Sequence, residues 1–146
     1  MVTVTQVAIS RYIDDIDTLI AENWAETGFD FPLNLDKDRY RALAEEGLIY
    51  AIGALDNDMK LCGYCTFTVT PHPYNPSIVI ANTDAVFLVS EYRKGTTYGR
   101  MRFAVKDLAR EKGCWAILWH ARGNTPFTHA MEKRHELADS VYMERI

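Results

Sequence analysis

The stretch Asp84-Ala85-Val86-Phe87-Leu88-Val89-Ser90-Glu91-Tyr92-Arg93-Lys94-Gly95-Thr96-Thr97-Tyr98-Gly99 decides the fold. Its first part, Ala85 to Val89, is a short β-branched and aromatic run that reads as a buried strand. Tyr98, Met101, Val105 and Leu108 then recur at helical spacing, so a helix follows and runs to Glu111-Lys112-Gly113. Strand, basic glycine loop and helix together suit a phosphate. The first N–H groups of a helix lack partners, Gly95 permits close backbone approach, and Arg93 and Lys94 add positive charge. An ordinary strand-to-helix turn has the same spacing, and the loop alone does not separate the two readings.

Working back from this stretch, Ile78 to Ala81 leads into the strand, and Pro71-His72-Pro73-Tyr74-Asn75-Pro76 before it reads as a rigid loop. Leu48 to Leu55 and Leu61 to Thr70 are strand patterns joined by the turn Asp56-Asn57-Asp58, which makes a hairpin. At the start of the chain, Val2 to Ala8 reads as a strand. Ser10, Asp14 and Asp15 suit a helix start, and Ile13, Ile16, Leu19, Ile20 and Trp24 form one apolar helical face ending near Gly28. Phe29 to Asn34 is aromatic and broken by Pro32, so it is a loop, in which Phe29 and Phe31 form a hydrophobic plug between helices. The next helix begins at Asp36, with Tyr40, Leu43 and Leu48 inward.

Working forward, Cys114 to His120 is an apolar strand, and strand, helix and strand imply a right-handed crossover. Asn124-Thr125-Pro126 starts a helix with Phe127, Ala130 and Met131 on its inner side. Ser140 to Met143 reads as a closing strand.

The chain has 146 residues and a formal charge of −4. That length suits one domain, residues 1–146, able to bury about two-thirds of its unfolded surface. The negative charge argues against a nucleic-acid backbone as partner. No run is apolar enough to span a bilayer and no leader pattern opens the sequence, so a soluble cytoplasmic protein is expected. Three cysteines fit a reducing compartment. Cys62-Gly63-Tyr64-Cys65 has redox and zinc spacing, but it runs into the strand pattern Thr66 to Thr70 and lacks a second ligand pair. Strand positions i and i+3 face opposite ways, so packing is the expected role and no metal is expected.

Val89 to Gly95, with the amphipathic helix to Gly113, resembles the acetyl-CoA signature of the GCN5-related N-acetyltransferases (GNAT), usually written Q/R-x-x-G-x-G/A. The loop is divergent: starting the motif at Arg93 puts Thr96 and Tyr98 at its glycines, and aligning on Gly95 puts Tyr92 first and Thr97 last. The element order β-α-α-β-β-β-α-β-α-β is similar to that family along nearly the whole chain. The resemblance implies an α/β (α+β) fold with a mixed, mostly antiparallel sheet flanked by helices. It also implies transfer of an acetyl group from acetyl-CoA to an amine by direct attack in a ternary complex.

On that resemblance, Arg93, Lys94, Gly95, Thr96, Thr97 and Gly99 would hold the pyrophosphate, with Asn124 also on the cofactor side. The backbone of Phe87 and Val89 would pair with the pantetheine, and an N–H near Leu88 or Val89 would face the oxyanion. Phe29 and Phe31 would shape the acceptor pocket, with His72 in reserve. Asp84, partly buried, is the first candidate base, Thr83 gains if a bulge changes the strand parity, and Glu91 and His120 are the reserves. Met131 stands where many members carry a tyrosine as general acid, so His129, Tyr98, Tyr142 or water would take that role. A small-molecule or protein amine is the implied partner, and a homodimer is allowed. The competing readings are a catalytically weak CoA-binding or protein-interaction module and, further off, a redox protein.

Overall fold

The computed structural model describes the whole chain, residues 1–146. Five strands form one sheet in the order β1-β2-β3-β4-β5: β1 is Thr3–Val7, β2 Ile49–Leu55, β3 Leu61–His72, β4 Asn75–Leu88 and β5 Ala116–Leu118. The first three pairings are antiparallel and the last, β4 with β5, is parallel. A parallel step needs a crossover, and the helix α3, Thr97–Glu111, supplies it.

Two cores, one on each face, explain the strand alternation. On one face α1, Ile9–Thr27, and α2, Lys37–Glu45, cover the sheet with Ile13, Ile16 and Leu19 against Tyr64 and Phe87. On the other, Met101, Val105 and Leu108 of α3 recur every three to four residues and meet Ile52, Cys65, Phe67 and Leu88. Phe67 and Val105 are fully buried, and full burial of such a side chain contributes about 1.5–3 kcal/mol.

Local chemistry sets most boundaries. Asp36 caps α2 by accepting from the Arg39 N–H at 3.0 Å, and Gly113 ends α3 at φ +76°, a conformation costly for other residues. The last helix, α4, Pro126–Glu132, has Pro126 in its first turn and Thr125 as its cap. The first helix starts at Ile9, one residue before Ser10, and no side chain caps it.

Four expectations are corrected. The proline-bearing segment is not a separate loop: β3 runs through His72 and β4 starts at Asn75, so only Pro73 and Tyr74 turn the hairpin. The apolar strand predicted over 114–120 shortens to three residues, leaving Trp115 exposed. No strand forms at Ser140 to Met143, where Val141 and Tyr142 are exposed and Arg145 instead binds Asp30 at 2.7 Å. A β-sequence pattern needs an edge to pair with, and the three-residue β5 provides little. Finally, Cys62 and Cys65 share one core cluster, because the register slips between Ala54 and Leu55 and Cys62 is the extra residue of a bulge. Both thiols are free, and burial pushes both above their ordinary range.

Candidate active site

The site lies where β4 and β5 part. Their ladder runs only from Ile80 opposite Ala116 to Asn82 opposite Leu118. At the next residue, the Thr83 hydroxyl donates to the Leu118 carbonyl at 3.2 Å and accepts from the His120 N–H at 2.9 Å. One side chain thus replaces the backbone pairing at the fork. Beyond it, residues 84–88 of β4 keep β3 on one side and have no strand on the other.

The polarity of that open edge follows from two hydrogen bonds. The Val89 N–H donates to the Cys62 carbonyl of β3 at 2.9 Å, while the Leu88 carbonyl points the other way and accepts from Arg93 Nε at 2.6 Å. Because N–H and C=O of one residue in an antiparallel ladder point to the same side, Leu88 and Val86 face the opening, and Phe87 and Val89 face β3. The backbone of Phe87 and Val89, expected to be free for pairing, is therefore turned to β3, and the unpaired edge is that of Val86 and Leu88. Val89 is likewise removed as an oxyanion donor, which leaves the Leu88 N–H.

Arg93 is also differently engaged than expected. Its guanidinium holds both oxygens of Glu26 at 2.7 and 2.8 Å and lies 5.4 Å from the Phe87 ring centre. It clamps α1 to the end of β4 through Nε and Nη2. Unengaged and open to an anion are the exposed Lys94 and the start of α3. Thr96 makes no side-chain cap, no acidic residue lies in the first turn, and the first backbone bond is Arg100 N–H to the Thr96 carbonyl. A Cβ added at Gly95 or Gly99 would meet nothing within 4 Å, and Gly95 has φ +96°. An uncapped helix start beside two glycines with open space above them fits a pyrophosphate. Thr97 is buried, and Asn124 sits exposed in the turn before α4 with φ +64° and makes no hydrogen bond.

Asp84 sits within the fork as the extra residue of a second bulge, for Thr66 pairs with Ala85 and Phe67 with Thr83. The bulge turns its carboxylate toward the α1–α2 face, where Thr66 Oγ1 donates to it at 3.4 Å. Asp84 is exposed, contrary to the partial burial expected of it, whereas Thr83 is buried and occupied by β5. Three polar residues around Asp84 escaped the sequence reading: Tyr40, Tyr64 and Asn23, whose amide donates to the Tyr64 hydroxyl at 3.3 Å. Burial pushes Tyr40 up to about 12, with Thr66 and the Asp84 charge nearby, and drives Tyr64 up further. The only sequence signal was Tyr64 and Thr66, hydroxyl-bearing residues on one face of a strand that should be apolar.

The reserve residues separate. Glu91 is exposed on the three-residue turn Ser90–Tyr92, beside a cleft shared with Asp15, Glu22 and Asp56. His120 is exposed just past β5, fixed through its backbone. His72 lies at the hairpin tip and bonds the Tyr74 N–H. Nine residue steps along β4 lead from Asn75 to Asp84, roughly 30 Å at 3.3 Å per step, so His72 is outside the site. Met131 is buried in the core and offers no acid. No cluster of three or more acidic, histidine or cysteine side chains can hold a metal ion, and no helix is long and apolar enough to cross a membrane.

Phe29 and Phe31 do come together, with Trp24. Their rings stack at 5.5 Å, and Trp24 lies 6.2 and 5.1 Å from them. Arg122 covers Phe29 at 3.6 Å and donates to the Thr27 carbonyl at 3.0 Å.

No family profile and no curated protein matches the chain by sequence. Solved structures do match it throughout. A ribosomal-protein-alanine N-acetyltransferase from Brucella melitensis biovar Abortus 2308 superposes with a TM-score of 0.77 at 20% identity, covering 100% of both chains. An aminoglycoside acetyltransferase, meta-AAC0020, from an uncultured soil metagenomic sample gives 0.77 at 14%, covering 99% of this chain and 97% of that one. AAC(6')-Iy, solved with the bisubstrate analog CoA-S-monomethyl-acetylneamine, gives 0.73 at 15%, covering 100% and 98%. The chain has the GNAT fold. Within the GNAT fold, the parted strands and the uncapped start of α3 are the features of this chain that fit an acyl-CoA: Lys94, Gly95, Gly99 and the first N–H groups of α3 for the pyrophosphate, Val86 and Leu88 for the extended arm.

Tyr40 allows a direct check of the cluster. Its hydroxyl is buried and has no partner in hydrogen-bonding geometry, so Tyr40→Phe is expected to be neutral or to stabilise the fold by up to about 1 kcal/mol at pH 7. The folded-state pKa near 12 lies above the ordinary 10. The unfolded chain therefore ionises first, and stability present below pH 10 is lost as pH rises through about 12. That loss reaches about 2 kcal/mol for Tyr40. Urea unfolding across pH 7 to 12 should show a flatter decline in the variant; equal slopes would place the hydroxyl in water.

Proposed function

We propose that the protein is an acetyl-CoA-dependent N-acetyltransferase acting on an amine. The observation that carries this reading is the open edge of β4, where the Leu88 N–H faces a gap held apart by Thr83 and closed at its far end by the start of α3. Bound acetyl-CoA would supply an activated acyl group. The chain would then work mainly by position and electrostatics. The Leu88 N–H would stabilise charge developing on the acyl oxygen, and Asp84, oriented by Thr66, would attract the ammonium form of the acceptor and take its proton, directly or through water. With Met131 at the tyrosine position, proton return to the leaving thiolate falls to water. The Brucella protein is named an N-acetyltransferase and meta-AAC0020 an aminoglycoside acetyltransferase, which supports the reaction class.

The absence of a hydroxyl at Met131 also favours a second reading, in which CoA is bound without efficient transfer. One experiment separates the two. Acetyl-CoA at about a hundred times its Kd is expected to stabilise the fold by about 2.7 kcal/mol, seen as a raised Tm, and a panel of amines should then release free CoA thiol. Stabilisation without thiol release supports the binding module, and no stabilisation removes both.

A further inference from the structure

From the apolar cavity that Tyr40 separates from Asp84, and resting on the acetyl-transfer reading, we infer that the acceptor is a primary amine carried on a short linker from a planar apolar group. The cavity measures about 630 Å³ and lies between α1, the 28–36 loop and α2, a size typical of small-molecule sites. Trp24, Phe29, Phe31, Leu35, Tyr40 and Leu43 form most of its wall. Phe29 and Phe31 remain 39% and 57% exposed, so their stacked rings present aromatic surface that the core does not claim.

The wall is also fixed before any ligand arrives. Trp24 Nε1 donates to the Phe31 carbonyl at 3.3 Å, Arg122 lies on the outer face of Phe29, and Arg145 holds Asp30. Anchored loops hold a binding surface without an ordering cost on association. Tyr40 lines the cavity and lies beside Thr66 and Asp84, its hydroxyl buried behind the wall. An apolar wall that adjoins the Thr66 and Asp84 pair through Tyr40 matches an apolar body whose ammonium lies on the Asp84 side.

Polar acceptors fit this wall poorly. Its polar side chains other than the buried Tyr40 hydroxyl are Asn34, Asp36 and Arg39, and one oxygen of the Asp36 carboxylate caps α2. A polyhydroxylated aminoglycoside or a polyamine would leave several hydrogen-bonding groups or charges without partners, because Asp36 and Arg39 offset each other and the rest of the wall is apolar.

The test measures thiol release from acetyl-CoA with 2-phenylethylamine, tryptamine, spermidine, kanamycin and a short peptide beginning with phenylalanine. The aromatic amines are expected to show a kcat/KM at least tenfold above spermidine and kanamycin, and the relative rate of the peptide distinguishes a free amine from a chain N-terminus. Phe31→Ala removes an exposed ring, so the fold should persist by circular dichroism. It should raise the KM for 2-phenylethylamine about tenfold and leave that for acetyl-CoA unchanged. Preference for spermidine or kanamycin, or an unaltered KM for 2-phenylethylamine in Phe31→Ala, overturns the inference. Direct binding of 2-phenylethylamine, followed by saturation-transfer NMR in both forms, keeps it separable from the catalytic reading. Binding that Phe31→Ala weakens, with no transfer, sustains the pocket assignment while the transferase reading fails. No binding overturns the pocket assignment whether or not acetyl-CoA stabilises the protein.

Discussion

Asp84→Asn is expected to lower kcat about a hundredfold with acetyl-CoA affinity nearly unchanged, the usual size of a general-base effect. The substitution keeps the side-chain shape, and asparagine oxygen can still accept from Thr66 Oγ1, now 3.4 Å from the carboxylate. What disappears is the charge that draws an ammonium and the lone pair that takes its proton. Because Asp84 occupies a bulge and is exposed, neither the β3 ladder nor the core loses a contact, and the melting temperature should hold. His120→Gln is the matched control, since its backbone N–H, not its ring, is bound to Thr83. Full activity in Asp84→Asn with loss in His120→Gln transfers the role to the histidine, whereas full activity in both assigns proton removal to water.

Gly95→Val carries the other large effect, a loss of acetyl-CoA affinity on the order of thirtyfold. At φ +96° a valine is strained, and a β-branched residue more than most. The loop would relax away from this conformation, and restoring it on binding would cost about 2 kcal/mol, close to that factor. Space is not the reason in the free protein, because a Cβ here meets nothing within 4 Å. That also means the variant should fold. Comparing the Tm rise at saturating acetyl-CoA in both proteins measures the effect, and an undiminished rise would move the phosphate away from this loop. Gly99, inside α3 with equally open space above it, makes a useful partner: Gly99→Ala should perturb binding without backbone strain.

Much of this architecture is legible in the sequence, and the reasons are local. The apolar run Ile49 to Leu55, buried on both sides of the sheet, and the three-to-four spacing of Met101, Val105 and Leu108 on one helix face are both local signals, and those elements stand as read. Asp36, Gly113 and Pro126 mark boundaries by chemistry that acts within one turn. What escaped the reading depends on pairing. Bulges at Cys62 and Asp84 are invisible in either strand alone, since an extra residue exists only relative to its partner. That is why Cys62 was expected on the face opposite Cys65, and why Asp84 was expected inside rather than out. The same holds for the open edge: sequence parity assigns side chains to faces, but only the Val89 bond to Cys62 shows that Leu88 and not Val89 turns its N–H outward. Arg93 fits a phosphate loop by type and position, yet Glu26, 67 residues away in sequence, already holds it. The strand pattern at 140–143 shows the converse, an adequate local signal with no edge to complete it.

The Thr83 junction leaves local stability unevenly distributed along the cleft. One wall, β4, is paired over most of its length to β3 and anchored in both cores. The other, β5, is held by three paired residues, by the Trp115 N–H on the Val79 carbonyl at its start, and by two bonds to a single hydroxyl, across sequence separations of 35 and 37. Segments secured by so few contacts open at free energies well below that of global unfolding. Sub-global opening of the sheet therefore begins at β5, so exchange of a bulky product can draw on fluctuations of that short strand while β4, with Asp84 and Leu88, stays in place.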